Sequence, residues 1–228
     1  MQEGELTGIH HLTAISANIQ ENYRFYTRVL GMRLVKRSVN QDDVSAYHLF
    51  YADAKGSPGT DLTFFDWRMP REGRGTHSIV RTHLRVNGAA SLEWWAAHLR
   101  ASGVSADDIA TIDDRATLCF EDPEGQRLAL IDDGGAGDEP AVWEQSPVPP
   151  EHQVRGLGPI TLSVPQLDPT DTVLTRVMHL RKVREYGHAD NPATPVYVYQ
   201  MGGGGPHAEL HIAVQPELPV VQQGAGGV

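Results

Sequence analysis

Two adjacent histidines near the start of the chain, His10 and His11, are the residues best suited to chemistry. They lie in the run 8–16, in which no charged residue interrupts the apolar ones. Such a run predicts a strand buried on both faces, in which His11 shares a face with Thr13 while His10 lies on the other. A buried imidazole needs a hydrogen-bond partner or a metal. For a lone histidine we favour a core residue bonded to a backbone carbonyl, and for this pair a metal ligand.

The composition narrows the classes of partner. The chain has 228 residues and a formal net charge of −10, which argues against nucleic acid or an anionic membrane surface as partner. Cys119 is the one cysteine, so an internal disulfide and a cysteine-based zinc site are excluded. The sequence shows neither a signal-peptide pattern nor an apolar run of membrane-spanning length. We therefore expect a cytoplasmic protein that binds a small molecule and contacts no membrane.

The order strand, helix, strand, strand, strand occurs three times along the chain. We assign residues 1–70 to module 1, 76–135 to module 2 and 154–214 to module 3. Residues 136–153 form a linker rich in Gly, Pro and acidic residues, and 215–228 form a Gly-rich tail. The predicted fold class is α+β, built from repeated βαβββ modules.

Modules 1 and 3 also resemble each other residue by residue. Gly8–Thr13 aligns with Gly156–Thr161, an offset of 148, and Val29–Val35 aligns with Val177–Val183 at the same offset. A four-stranded sheet with one helix leaves one face to be covered, and a second copy is the natural cover. Three modules cannot all pair. We therefore expect either a homo-oligomer formed through the unpaired module or a fourth module beyond residue 228.

Caps and spacing place the helices of modules 1 and 3. Asn18 is suited to cap a helix that ends before Gly31, and its apolar positions are Ile19, Tyr23, Tyr26, Val29 and Leu30. In module 3, Asp168 is the predicted N-cap, and the proline that follows it takes the first helical position.

Five segments resemble the ring-cleaving dioxygenases of the vicinal oxygen chelate (glyoxalase/bleomycin-resistance/dioxygenase) superfamily, and most of all its hydroquinone-type branch. They are Gly8–Thr13, Asn22–Tyr26, Val29–Arg37, Tyr47–Asp53 and Gly56–Phe65. The resemblance implies modules that pair into half-barrels. It also implies a mononuclear Fe(II), or in some members Mn(II), held by two histidines and a glutamate, with open positions for O2 and the substrate oxygens.

The resemblance assigns roles to three residues. His11 matches the first metal ligand, and His10 and Thr13 match catalytic positions that orient the ligand or the substrate. The other histidine and the glutamate of the family belong to a fourth module, which follows a Gly-rich linker like residues 223–227. A substitute for the family's glutamate could lie on the last strand of module 1 or of module 2. Those positions are occupied by Thr63 and Ala129.

Module 3 offers three alternative ligands on its last strand, His207, Glu209 and His211. These side chains have suitable chemistry for a metal, but an exposed polar strand face is the simpler interpretation. Whether any of them substitutes for the family's ligands stays open.

The function that the resemblance favours is a non-haem Fe(II)-dependent dioxygenase, which cleaves the ring of a hydroquinone or catechol with O2 in aromatic compound degradation. The alternative from a different class is a non-catalytic protein of the same fold that binds an aromatic compound or a drug. A glyoxalase-like isomerase is a third possibility, for which the pattern of residues 8–37 is a poorer match.

Overall fold

The computed structural model describes residues 5–41 and 43–228. Within these ranges the strands are β1 His11–Ser16, β2 Arg33–Val39, β3 Tyr47–Ala52, β4 Asp61–Asp66, β5 Ser78–Val86, β6 Ala110–Ile112, β7 Arg115–Glu121, β8 Arg127–Asp132, β9 Gly156–Val164, β10 Arg181–Gly187, β11 Pro195–Gln200 and β12 Glu209–Val214. The helices are α1 Ile19–Arg24, α2 Ala89–Ala101 and α3 Leu167–Thr172, and π-helical segments extend α1 over Phe25–Val29 and α3 over Val173–Val177. The element order and the fold class, α+β with repeated βαβββ units, agree with the prediction.

The twelve strands form two sheets of unequal size. Module 1 makes a four-stranded sheet in the order β1-β4-β3-β2, and modules 2 and 3 share an eight-stranded sheet in the order β10-β11-β12-β9-β5-β8-β7-β6. Antiparallel pairing of β5 with β9 joins modules 2 and 3. In module 1, one edge of β1 is paired with β4. On the opposite edge, and among the described residues, Ile15 is the one strand residue that makes backbone hydrogen bonds. There Ile15 exchanges backbone hydrogen bonds of 2.9 Å with Gly226 and Gly227 of the tail.

The internal repeat is visible in the backbone geometry. Every strand and helix boundary of module 1 recurs in module 3 at the offset of 148, apart from an earlier start of β9. The two π-helical segments recur in this way, and so does the bulge between Leu34 and Lys36, which returns between Lys182 and Arg184. Gly31 has φ +68 and its counterpart His179 has φ +58. The same left-handed turn is therefore kept in module 3 without a glycine.

The first helix packs as predicted at four of its five apolar positions: Tyr26 and Leu30 are buried, and Ile19 and Val29 are partly buried against the core. Asn18 does cap it, since the Asn18 side chain accepts a hydrogen bond from the backbone N–H of Glu21. Tyr23, predicted to be apolar and packed, is 41% exposed, whereas Asn22 and Phe25 are buried. Tyr23 lies in the regular α-helical part, and the π-helical segment begins after it at Phe25.

The predicted cap of the third helix is wrong. The helix begins at Leu167, with Gln166 at the cap position and no side-chain cap bond, so Asp168 lies within the first turn. A carboxylate there is favourable because it faces the positive end of the helix dipole.

The main apolar core lies between the helical sides of modules 1 and 2. Tyr26, Tyr51 and Phe64 pack ring on ring in it, and α2 buries Leu92, Trp95 and Leu99 completely. Tyr26 is fully buried, and its hydroxyl lies 3.1 Å from an Asp122 carboxylate oxygen and 3.0 Å from the Gln126 amide oxygen. A smaller apolar cluster sits under α3 in module 3. No helix in the described ranges has the length and apolar character needed to cross a membrane.

The segment 136–153, predicted as a linker, is packed along module 1. Ala54 donates its backbone N–H to the Ala141 carbonyl at 2.9 Å, and the Ser146 hydroxyl donates to the Gly31 carbonyl at 2.7 Å. Val148 is 1% exposed. This segment therefore fixes the position of the first helix.

Replacing Gly31 tests this contact. A Cβ at Gly31 would lie 2.5 Å from Ser146 Oγ and 2.6 Å from a Val148 methyl carbon. Gly103, with φ +75, has nothing within 4 Å of such a Cβ. We expect Gly103→Ala to lower the free energy of unfolding by about 1 kcal/mol from backbone strain alone. Gly31→Ala should lower it by roughly 1–3 kcal/mol more because of overpacking, as measured by urea unfolding. Equal losses in the two variants would contradict the packed arrangement of 136–153.

Candidate functional site

The face of module 1 that points away from its helix carries a chain of polar side chains. Thr13 of β1 lies opposite Thr63 of β4, and the Thr63 hydroxyl donates to Thr13 Oγ1 at 2.9 Å. His48 Nε2 is 2.9 Å from Thr63 Oγ1, and since the proton of Thr63 is engaged with Thr13, His48 is the donor in this bond. Burial lowers the pKa of His48, and the nearby Lys36 and His11 lower it further, so the imidazole is neutral. The Thr13 hydroxyl proton at the end of the chain is free to bind a ligand.

His10 and His11 lie beside this chain and contact each other. Their rings meet edge to face at 5.2 Å, and the two Nδ1 atoms are 3.1 Å apart. When His11 donates in this bond, its Nε2 is left unprotonated and able to bind a metal. His10 precedes the strand and is an orienting contact for His11.

The prediction that this strand is buried on both faces is wrong at its start. Both histidines are exposed, although Ala14 and Ser16 farther along are buried. The physical reason is that, within the described residues, no strand lies on the far edge of β1 beside His11 and no layer covers that face.

A carboxylate stands directly across the ladder from His11. Asp61 pairs with His11 in the register of β1 and β4, and its Oδ1 is buried without a hydrogen-bond partner among the described residues. Burial raises the pKa of Asp61, while the nearby His11 and His10 act in the opposite direction. This oxygen is covered by the protein, so a ligand or a cation reaches it only after a local shift of its neighbours.

Aromatic side chains form the rest of the face. The ring of His48 lies 4.0 Å from that of Phe50 and 4.2 Å from that of Phe65. Phe65 in turn stacks on Trp67 at 4.8 Å, and Lys36 places its ammonium 5.0 Å from the centre of the Phe50 ring. Flat apolar rings beside hydrogen-bonding groups suit an aromatic ligand that carries hydroxyls.

The residues around His11 do not complete a metal site in the part of the chain that the structure describes. Thr63 and Ala129 stand at the positions of a ligand glutamate and offer no carboxylate. The one group of three potential ligands within 4.8 Å of one another consists of Asp113, Glu209 and His211 in the other sheet. Among the described residues, His11 has the imidazole of His10 and the carboxylate of Asp61 as neighbours, without a group of three ligand atoms close enough to hold a metal.

The group in the other sheet is an ion cluster with arginines. Glu209 is fully buried. Arg115 contacts its two oxygens at 2.7 and 3.1 Å, and Arg184 contacts them at 3.0 and 2.9 Å. Arg184 also binds Asp113 through two nitrogens, one of them Nε at 2.8 Å. Two guanidinium groups thus balance two carboxylates.

These contacts occupy the oxygens that a metal would need. Gln200 also donates to Glu209 at 2.8 Å, and His211 Nε2 lies 3.3 Å from the same carboxylate. Burial raises the pKa of Glu209, but its hydrogen bonds from His211, Arg115, Arg184 and Gln200 outweigh burial and hold that pKa far below its ordinary value. A metal would have to displace both arginines. We interpret the cluster as a stabilising element of the sheet.

The expected exposed polar face of the last strand is therefore wrong. Glu209 and His211 are 0% and 3% exposed, because they point into the concave side of the eight-stranded sheet. His207 is not on that strand, since it lies in the turn Pro206–Ala208 before it.

No signal for the arginine partners was found in the sequence. Two signals in the sequence could have located site residues that were missed. The repeat offset of 148 aligns Glu209 with Asp61 and His211 with Thr63. The alternation of side chains along β3 puts His48 on the same face as Phe50.

Replacing Glu209 tests the ion cluster. We expect Glu209→Gln to lower the free energy of unfolding at pH 7 by roughly 1.5–3 kcal/mol, because the partly exposed guanidinium groups of Arg115 and Arg184 lose a fully buried, charged hydrogen-bond partner. The exposed Glu217→Gln is the control and should change it little.

The pH dependence gives a second test of the same cluster. The lowered pKa of Glu209 stabilises the fold above the ordinary glutamate pKa of 4.5, and this stabilisation is lost as the pH falls below it. The difference in unfolding free energy between wild type and Glu209→Gln should therefore shrink from pH 7 to about pH 3. A difference that stays constant over this range would contradict the assigned role of the carboxylate.

Comparisons with known proteins agree with this architecture. The chain is 41% identical to the provisionally named ring-cleaving dioxygenase MhqA of Bacillus subtilis (strain 168), over 98% of this chain and 71% of the relative. It is 26% identical to the chlorohydroquinone/hydroquinone 1,2-dioxygenase of Sphingobium indicum, over 92% of this chain and 64% of that protein.

Solved structures show the same fold. A provisionally named dioxygenase from Bacillus subtilis superposes with a TM-score of 0.86 at 31% identity, over 98% of this chain and 68% of that one. Glyoxalase I from Zea mays gives 0.72 at 12% identity, over 98% and 73%, which is a likeness of fold alone. A model of the Glyoxalase/Bleomycin resistance protein/Dioxygenase superfamily matches residues 8–130. The chain belongs to this superfamily.

Proposed function

We propose that the chain belongs to a metal-dependent dioxygenase that opens the ring of a hydroquinone or catechol with O2. The observation that carries the proposal is the position of His11, which is exposed at the unpaired edge of β1 beside a face of hydrogen-bonding and aromatic side chains. The names of the relatives support a ring-cleaving reaction, and one of them names hydroquinones as substrate. The proposed metal is Fe(II), with Mn(II) as the alternative, and His11 is the proposed ligand.

The described residues have distinct tasks in this proposal. The substrate ring packs against Phe65, and its oxygen accepts a hydrogen bond from the Thr13 hydroxyl. The chain from His48 through Thr63 fixes the direction of that donor, because each member's proton is already committed to the next. His10 accepts the Nδ1 proton of His11 and so keeps the His11 Nε2 lone pair available.

The uncovered face of module 1 indicates where further metal ligands for His11 would come from. The eight-stranded sheet shows that two modules of this kind pair through their first strands. We propose that module 1 pairs in the same way with another βαβββ module, in a homo-oligomer or in a longer chain. That module would cover the aromatic face and bring further ligands to His11.

A non-catalytic protein that binds an aromatic compound is the second candidate. It is favoured because the described residues around His11 do not form a group of three metal ligands, whereas the same face carries aromatic rings and hydrogen-bonding side chains. Such a protein would bind its ligand without a metal.

Oxygen consumption separates the two candidates. We expect the Fe(II)-reconstituted protein to consume O2 when hydroquinone or catechol is added, and His11→Ala to abolish the uptake because the metal loses its ligand. His179→Asn is the matched control: it removes an exposed histidine of module 3 at a positive φ that asparagine tolerates. It should keep the wild-type rate.

One combination of results would contradict the dioxygenase proposal. The dioxygenase proposal fails if the wild type consumes no O2 and binds hydroquinone with an affinity that neither a chelator nor His11→Ala changes. That combination would support the non-catalytic binding protein.

A further inference from the structure

A second cavity, separate from the His11 face, lies on the concave side of the eight-stranded sheet. It has a volume of about 500 Å³, and the residues lining it that bear on its chemistry are Arg81, His83, Arg127, Thr161 and Tyr186. A cavity of this size can hold a small organic molecule. Nothing in the proposed dioxygenase site uses it.

The repeat shows how this cavity differs from the face of module 1. β1 ends at Ser16 opposite Asp66, and β5 ends at Val86 opposite Asp132. The residues five positions before these strand ends correspond to each other. Arg81 of module 2 therefore corresponds to His11 of module 1, and Arg127 corresponds to Asp61. Two guanidinium groups thus replace an imidazole and a carboxylate, so the position that suits a cation in module 1 suits an anion here.

The two arginines are not fully neutralised by the protein. Arg81 donates to the Leu128 carbonyl at 3.2 Å, and within the described residues it has no ion pair with a carboxylate. Arg127 lies 3.8 Å from Glu72; burial lowers its pKa, as does the charge of Arg74. The lining also holds four carboxylates. Asp107, Asp108 and Asp190 are exposed, so water screens them, and Glu121 is paired with Arg74 at 2.7 Å.

A buried hydrogen-bond acceptor completes the site. His83 is 6% exposed. Its Nδ1 is 2.7 Å from the Pro159 carbonyl, and because a carbonyl can only accept, Nδ1 carries the proton and Nε2 is an acceptor. Nε2 has no partner among the described residues. Burial, together with His211 and Arg81, lowers the pKa of His83 to about 3, so the ring stays neutral and its Nε2 can accept a hydrogen bond from a ligand.

We propose that this cavity binds a small hydroxylated organic acid. The carboxylate of the ligand lies against Arg81 and Arg127, where charge-assisted hydrogen bonds are strong. The hydroxyl of the ligand donates to His83 Nε2. This binding site is independent of the metal and of the His11 face.

Calorimetric titration with 4-hydroxybenzoate tests the proposal, because this probe carries both required groups. We expect one molecule to bind per chain, with weaker binding of benzoate, which lacks the hydroxyl, and of phenol, which lacks the carboxylate. Arg81→Met should weaken 4-hydroxybenzoate binding about tenfold or more, the equivalent of one charge-assisted hydrogen bond. The exposed Arg176→Met is the matched control and should leave the affinity unchanged.

Two further variants make the result specific. His83→Leu should bind 4-hydroxybenzoate and benzoate equally, a loss of discrimination that simple destabilisation would not produce. His11→Ala should bind 4-hydroxybenzoate as the wild type does, so this test is independent of the proposed dioxygenase activity. The proposal is overturned if neither 4-hydroxybenzoate nor salicylate binds up to about 10 mM. It is also overturned if Arg81→Met binds as tightly as the wild type, or if His11→Ala abolishes binding.

Discussion

A βαβββ sheet has two faces, and its own helix can cover only one of them; the organisation of this molecule follows from that constraint. The helical sides of modules 1 and 2 pack together into the main core. Strands β5 of module 2 and β9 of module 3 pair edge to edge, so these two modules form one continuous sheet. Module 1 has no such partner among the described residues, so its second face stays open. His11, Thr13 and the aromatic side chains are accessible for this reason.

The two concave surfaces show what the same backbone can do with different side chains. In the eight-stranded sheet, Glu209 is held by two arginines in a balanced ion cluster, and Arg81 stands at the position of His11. In module 1 that position is an imidazole with a free nitrogen opposite the unpaired oxygen of Asp61. The concave surface of the eight-stranded sheet therefore favours anions, and the open face of module 1 favours a cation, although both are built from the same βαβββ unit.

Much of the fold could be predicted from the sequence, because the repeat at an offset of 148 and the alternation of apolar residues act locally. The order of the elements followed from these signals, the Asn18 cap from its residue type, and the superfamily from the resemblance of five segments to a known family. The exposure of His10 and His11 did not, since it depends on which strand lies beside β1. The π-helical segments that follow α1 and α3 were missed because they break the spacing on which helix prediction rests. The arginines around Glu209 come from distant strands, and no local pattern announces them.

We propose that His11, and not the cluster around His211, binds a metal. Manganese titration followed by NMR of the imidazole signals tests this proposal, because paramagnetic Mn(II) broadens the signals of the residues nearest to it. We expect the His11 signal to broaden first among those of the eleven histidines, with His10 close behind and His211 unaffected. Broadening of His211 before His11 would show that the metal displaces the arginines around Glu209, and the proposal would then be wrong.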